Sequence, residues 1–359
     1  MLDWLKKWYA NKFSDPQVVT LFLLLLIVFL SIYWLSGILA PVLVAIAFAY
    51  LLEWPVVKLQ RLGLSRAIST ISVVATFVGV ACLILMWIIP LVWYQGRNLL
   101  RDFPQMLAQS KAYLLELPAS FPDMVSTEQI NVLMHSVDEH LMAFGQNMLS
   151  LSLASIVDLV ALLIYLVLVP LMVFFMLKDK ATLTASFLQL LPSERKLISQ
   201  VWHEMNLQIM NYIRGKMLEL LIVGAASYAV FAFFGLNYPL LLGVLVGVSV
   251  LIPYVGAAVV TLPVAIVALF QWGLTPEFGY LMLAYGIVQA LDGNILVPLL
   301  FSEAVDLNPV FIIIAVLFFG GLFGFWGIFF AIPLASLVKA TIKAWSTRVH
   351  IVEDMSSIK

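Results

Sequence analysis

Apolar runs long enough to cross a bilayer recur from one end of this chain to the other, and no other feature limits its folding so sharply. In hydrocarbon every backbone N–H and C=O must be satisfied within its own segment, so a spanning helix needs about 20 mostly apolar residues. Candidate spans lie near 18–36, 38–53, 68–93, 151–177, 217–235, 238–252, 255–272 and 279–301, and a last apolar stretch covers 309–338. Of 359 residues, 63% are apolar and 11% charged, against about 45–50% and about 25% in an ordinary soluble domain. Too few polar residues remain to cover a soluble fold of this size. The expected class is an all-α polytopic membrane protein with about 8 transmembrane helices.

The same arithmetic excludes several functions. Nineteen basic residues nearly cancel twenty acidic ones, so no net charge attracts nucleic acid. Cys82 is the only cysteine, which excludes an intramolecular disulfide and any CxxC metal or redox site. The first apolar run, Val18 to Leu35, is too long for a signal-peptide core and is followed by no A-x-A site, so it is read as a retained span.

Orientation follows from lysine and arginine in the loops. Lys6, Lys7 and Lys12 precede the first span and Lys58, Arg61 and Arg66 follow the second, while the turn between them is uncharged, so the N-terminus is cytoplasmic. Segment 94–150 then lies outside with an acidic excess, and segment 178–216 inside with a basic one. Trp34, Trp54, Trp93, Trp272 and Trp345 near segment ends fit an aromatic belt, and Trp4, Leu5, Trp8 and Tyr9 suggest a short helix lying in the interface. A ninth single span would leave Lys339, Lys343 and Arg348 outside. Gly320, Gly321, Gly324 and Gly327 interrupt the middle of 309–338, each weakening a helix by about 1 kcal/mol against alanine. That stretch is therefore read as a re-entrant or hairpin pair of half-helices entering from the cytoplasm, with the C-terminus inside; a single kinked span is the competing reading.

Outside the membrane two amphipathic helices are expected. Ser126-Thr127-Glu128-Gln129 has the form of a capping box, and Ile130, Leu133, Met134, Val137, Leu141, Phe144 and Met148 then recur on one face. Pro104, Pro118 and Pro122 break up what precedes it. His135, Asp138, Glu139 and His140 are read as a solvated face rather than a metal site. Inside, Leu197, Val201, Met205, Ile209 and Tyr212 line one side of a helix capped by Ser193. His203-Glu204 opens like HExxH but Leu207 replaces the second ligand, and Gly215-Lys216 lacks the rest of a phosphate loop. No Ser/His or paired-Asp constellation lies at membrane depth, so neither an enzyme nor a cofactor is expected.

The chemistry concentrates at Asp292, near the middle of 279–301 with no other charge between Glu277 and Glu303. A mid-helix carboxylate costs about 2.5–3.5 kcal/mol on insertion scales and faces a bundle interior or a water path. Tyr285, Gln289 and Asp292 share one face, and Asn294 lies off it. Pro298 frees a backbone carbonyl one turn earlier, and Gly293 loosens the helix further. A second break lies at Ile252-Pro253-Tyr254-Val255-Gly256, between two short spans. Short, interrupted segments mark binding sites in secondary transporters, and an ordinary tight turn is the equal alternative. Gly243 with Gly247, and Gly320 with Gly324, are read as close helix packing, and Glu219 beside Lys216 as a local ion pair.

With these features in place, the sequence resembles the bacterial autoinducer-2 exporter (AI-2E) family of inner-membrane proteins, most closely its PerM permease branch. The resemblance rests on Leu39-Ala-Pro-Val-Leu-Val-Ala, Ala49-Tyr-Leu-Leu-Glu-Trp-Pro55, Val169-Pro-Leu-Met-Val-Phe-Phe-Met-Leu-Lys-Asp-Lys180 and Asn211-Tyr-Ile-Arg-Gly-Lys216. Leu251-Ile-Pro-Tyr-Val-Gly256, Gln289-Ala-Leu-Asp-Gly-Asn294 and the Gly320-to-Pro333 stretch complete it. The resemblance implies export of a small polar solute such as autoinducer-2, or sodium(lithium)/proton antiport, by a homo-oligomer for which pentamers are proposed. The family's polar helix motif falls on Gln289, Asp292 and Asn294, and its proline-glycine turn on Pro253 and Gly256.

The organisation expected is an interfacial helix and three spans over 1–93, a helical periplasmic segment over 94–150 and a fourth span over 151–177. A cytoplasmic amphipathic segment follows over 178–216, then a transport core with broken helices over 217–338 and a cytoplasmic tail over 339–359. The function expected is a secondary transporter of the bacterial inner membrane, in the lipid bilayer, with ion-gradient coupling. Its substrate or ion path runs past Asp292, Gln289, Asn294 and Tyr285, and its hinges are Pro253, Gly256, Pro298, Gly320, Gly321, Gly324 and Gly327. The alternative of a different class is a non-transporting membrane scaffold that recruits partners through 94–150 and 193–214.

Overall fold

A computed structural model describes residues 16–120, 165–189, 196–301 and 308–341. Every element among them is helical. The interfacial segment at Trp4–Tyr9, the Ser126 capping box and its helix to Met148, His135 with its neighbours, Ser193 and the C-terminal tail lie outside the described residues.

Helix α1, Pro16–Arg61, joins the first two expected spans without a loop. Its only non-helical backbone is at Leu35 (φ −110°, ψ 16°). With Pro41 and Pro55 inside it, the helix bends rather than ends, because in an apolar medium a broken turn leaves backbone groups with no water to satisfy them. Helix α2, Arg66–Ser120, has 55 residues, about 80 Å at ~1.5 Å per residue, far more than the ~30 Å hydrocarbon core. The expected break at Pro104 does not occur, and Pro118 also falls inside the helix. This arm is tied to the chain at 237–241: Tyr238 Oη donates to Asp102 Oδ2 at 2.6 Å, and Gln95 Oε1 accepts from the Leu241 N–H at 2.9 Å. Burial and the Asp102 carboxylate push the Tyr238 phenol above its ordinary range, which keeps it the donor.

Helix α3, Tyr165–Lys178, packs its Val169, Val173 and Leu177 against Ala45, Leu52 and Val56 of α1 and Val73 and Val74 of α2. A short α4, Lys180–Gln189, follows. Helix α5, Lys196–Phe233, runs unbroken for 38 residues. Helix α6, Pro239–Ser249, has only 11 residues, about 17 Å, too short to cross the bilayer. It lies against α5 through glycine: a Cβ at Gly243 would sit 2.7 Å from Tyr228 Cβ, and one at Gly247 would sit 2.9 Å from the Leu220 carbonyl oxygen. Both glycines of the Gly243–Gly247 pair thus serve close packing.

After a turn come α7, Val255–Trp272, and α8, Pro276–Leu291. The chain continues through a π-turn, Asp292–Leu296, into α9, Val297–Phe301. Helix α10, Pro309–Phe329, begins at Asn308, whose Oδ1 accepts from the Val310 N–H at 3.0 Å. It is broken at Gly324 (φ 60°, ψ −139°), a conformation suited to glycine. A Cβ at Gly320 would lie 2.8 Å from Ile328 Cγ1, and one at Gly327 would run into the Phe319 carbonyl oxygen. Residues eight apart are about 12 Å apart along a straight helix, so the chain doubles back here. Helix α11, Ala331–Thr341, follows.

Eight spans were expected before 309–338. The described residues hold six helices long and apolar enough to cross a membrane, beginning with Leu39–Arg61 and ending with Pro309–Phe329, and three shorter apolar helices. Outward rows such as Leu83, Met86, Trp87 and Trp93 on α2 remain exposed, as apolar side chains facing lipid do.

Candidate functional site

The centre of α5 carries two charges that its neighbours bury almost completely. Lys216 and Glu219 are three residues apart, one helical turn, with Nζ 2.8 Å from Oε2 and side chains only 5% and 3% exposed. The contact has ion-pair distance without hydrogen-bond alignment, so Glu219 Oε2 has no hydrogen-bond donor. Lys216 Nζ instead donates to the Val250 carbonyl at 2.9 Å and lies 5.3 Å from the centroid of the Phe301 ring. Gly215 allows this approach, because a Cβ there would meet Phe301 Cε1 at 2.6 Å. Three separate pieces of chain, α5, the turn after α6 and α9, thus converge on one ammonium.

The fourth piece is the π-turn. Asp292 is half-buried where α8 loses its α-helical register, and the Val297 N–H reaches back to Asp292 O. Such single-turn π insertions recur at functional sites. Its Oδ1 is buried with no hydrogen-bond partner. The π-turn packs against α5, which gathers one base and two acids at the middle of the candidate span Val201–Phe233.

The other residues singled out in the sequence divide. Tyr285 is buried, 5.6 Å from the Phe231 ring centroid, with its hydroxyl 3.3 Å from Thr261 Oγ1. Gln289 is half-buried and hydrogen-bonds Tyr285, one turn before Asp292. Asn294 points outward and donates from Nδ2 to the Ala290 carbonyl at 2.8 Å, and Pro298 is exposed beyond the π-turn. At the second break, the Gly256 N–H donates to Ile252 O at 3.0 Å and the Val255 N–H to Pro253 O at 2.7 Å. A Cβ at Gly256 would run into the Ser249 carbonyl oxygen, so the turn closes only on glycine. This turn touches the charge cluster through Val250. The glycines of 320–327 do not: Gly321 and Gly324 are exposed, and Gly320 and Gly327 belong to the apolar reversal. That reversal reaches α5 one turn before Lys216, where Tyr212 Oη donates to Phe329 O at 3.0 Å.

Lys216 and Glu219 were read in the sequence only as a local ion pair, not as part of a site. The signal was a charged pair at helical spacing flanked by Met217, Leu218 and Leu220.

The whole chain can now be set beside known proteins. The profile described as AI-2E family transporter matches residues 22–347. This chain belongs to the AI-2E transporter family. It is 51% identical over 345 residues to PerM of Escherichia coli (strain K12), a permease by name, covering 96% of this chain and 98% of that one. YueF of Bacillus subtilis (strain 168), named a transport protein, is 27% identical over 316 residues, 86% of this chain and 84% of that one. TqsA of Escherichia coli (strain K12), named an AI-2 transport protein, is 22% identical over 332 residues, 91% and 92% of the two chains. Family membership makes this a membrane protein of a transporter family rather than of an enzyme family.

Proposed function

We propose that the protein is a secondary transporter of the bacterial inner membrane that exports a small polar solute of the autoinducer-2 kind, driven by an ion gradient. The observation that carries this reading is the unpartnered Asp292 oxygen beside the buried Lys216–Glu219 pair, at a break in a membrane helix. A carboxylate kept this way at membrane depth is costly unless something transient neutralises it. Asp292 binds and releases that charge, Gln289 and Tyr285 line the same face, and Asn294 with Pro298 keeps the helix locally unwound. The turn at Pro253 and Gly256 and the reversal at Gly320–Gly327 act as gates, the latter as a re-entrant hairpin entering from the cytoplasm. Both termini are cytoplasmic, the segments run as the basic loops orient them, and subunits assemble into a homo-oligomer.

Cation/proton antiport is the second reading, favoured by a cluster that holds two carboxylates and one ammonium. Proteoliposomes with an internal pH reporter separate the two. Gradients of sodium, lithium, potassium or small polar solutes are imposed on wild type and Asp292→Asn. Proton flux tied to a polar solute supports export, and flux tied to sodium or lithium supports antiport. Flux that is unchanged in Asp292→Asn rejects the assignment of the site.

A further inference from the structure

The charge cluster does not balance, and the imbalance has a mechanical consequence. Lys216 has one positive charge and three N–H donors; Glu219 and Asp292 present two carboxylates. Among the described residues, no other group on the surrounding elements pairs with these carboxylates. On α5, the Tyr212 hydroxyl is committed to Phe329 O, and Arg214, whose Nε is buried without a hydrogen-bond partner, forms no ion pair with Glu219 or Asp292. On α8, Tyr285 is held by Thr261 and Gln289. Helix α6 and α9 carry no ionisable side chain, and the turn contributes only the exposed Tyr254. The ammonium can balance only one of the two carboxylates at a time, and the other stays uncompensated until a charge arrives from outside.

Lys216 is also the strut of the turn that follows α6. Its bond to Val250 O is a side-chain hydrogen bond from α5 to that turn, beside the apolar packing of Leu251 in the cluster that holds Tyr212 and Ile213. The turn itself is strained: Tyr254 sits at φ 61°, ψ −46°, backbone that a tyrosine does not favour. A strained turn held by one buried cation is a bistable element of the sort a small charge can switch.

We propose that Lys216 is the resident cation of a two-carboxylate exchange site: it alternates between Glu219 and Asp292, one proton or small monovalent cation occupies the carboxylate it leaves, and its movement frees the Val250–Tyr254 turn. The inference deepens the transport reading and rests on it for the direction of use, but the switch itself can be measured without flux. When the external charge is a proton, it binds the carboxylate oxygen of Glu219, and Lys216 passes to Asp292 Oδ1, which has no partner in the present arrangement. The hydrogen bond to Val250 O is then lost. When the charge is a metal cation, the carboxylate binds it directly and the ammonium moves in the same way.

The test uses full-length protein in nanodiscs, with both faces open to solvent. Cys82, the only cysteine, is replaced by alanine, and Val255→Cys reports on the turn through its rate of modification by a maleimide. Each rate is divided by that of an exposed control cysteine at the same pH, which removes the loss of thiolate on acidification; in the otherwise wild-type chain this ratio should rise about tenfold from about pH 9 to about pH 6, the size of a small population shift. At fixed high pH, a rise with sodium, lithium or potassium identifies a cation as the loading charge, and a response to pH alone identifies the proton. Lys216→Met should fix the rate at its high value under all conditions. Because a lone buried Glu219 can prevent folding, Lys216→Met/Glu219→Gln, which removes both charges, is the decisive variant and should also be fast and flat. A rate that ignores both pH and cations in wild type overturns the proposal, as does an unchanged response in the double variant. Asp292-dependent flux with an unresponsive turn removes the role of Lys216 alone. A responsive turn with no flux for any solute instead removes the transport reading.

Discussion

At the end of α1 one carboxylate meets two cations, whereas in the middle of α5 one cation meets two carboxylates. Arg66 pairs with Glu53 at 3.0 Å through Nη2 and 3.3 Å through Nη1, and Lys180 adds a third contact at 3.0 Å. The guanidinium also reaches Gln60 and the Leu177 carbonyl. Every oxygen of Glu53 is satisfied, and the side chains are 15% to 54% exposed. This cluster clasps α1, α2 and α3 together where the chain turns, and nothing in it waits for a ligand. The Lys216 cluster has an orphaned carboxylate oxygen, a helix out of register and a strained turn attached to it. Saturation marks the first as architecture, and the deficit in the second is what the proposed exchange site rests on.

Several measurements can break or sharpen that contrast, and the largest effect belongs to the buried cluster. Lys216→Met strands Glu219 in apolar surroundings, where removing one partner of a buried pair costs about 3–5 kcal/mol; thermal unfolding in detergent should show this loss, and Lys216→Met/Glu219→Gln should recover most of it. A single variant as stable as wild type would mean that water reaches the pair. Next comes Gly327→Ala, whose methyl meets the Phe319 carbonyl at the apolar reversal, for which overpacking typically costs about 1–3 kcal/mol. Its destabilisation should be insensitive to pH, since no ionisable side chain lies among residues 309–338; a pH-dependent loss would connect the reversal to the charge site. The smallest effect is expected at the clasp. Arg66→Ala should cost about 0–1 kcal/mol, as partly exposed pairs do, and a loss as large as that of Lys216→Met would erase the distinction.

Asp292 was legible in the sequence because it stands alone among apolar residues, and the Pro253–Gly256 break because proline and glycine leave few other conformations open. The glycine-rich centre of 309–338 likewise announced a break, which falls at Gly324, since four glycines in eight residues weaken a regular apolar helix. Lys216 and Glu219 were read as a local pair, and they are one. What could not be read is their burial, which comes from Val250, Phe301 and Asp292, residues 34 to 85 positions away in the chain from Lys216. Periodicity also cannot show where a helix continues past the membrane. The continuity of α5 through 216 and of α2 through Pro104 depends on partners such as Asp102 and Tyr238 that come from distant segments. Tyr285 and Gln289 lie behind Asp292, and Asn294, expected off that face, spends its amide on the Ala290 carbonyl.

The most direct test sets the two clusters side by side in one assay. Proton flux in proteoliposomes is measured for wild type, Asp292→Asn and Glu53→Gln under whichever solute or cation gradient drives the wild type. The account predicts that Asp292→Asn assembles normally and loses the coupled flux, while Glu53→Gln keeps it. Retained flux in Asp292→Asn, or equal loss in both variants, would contradict it.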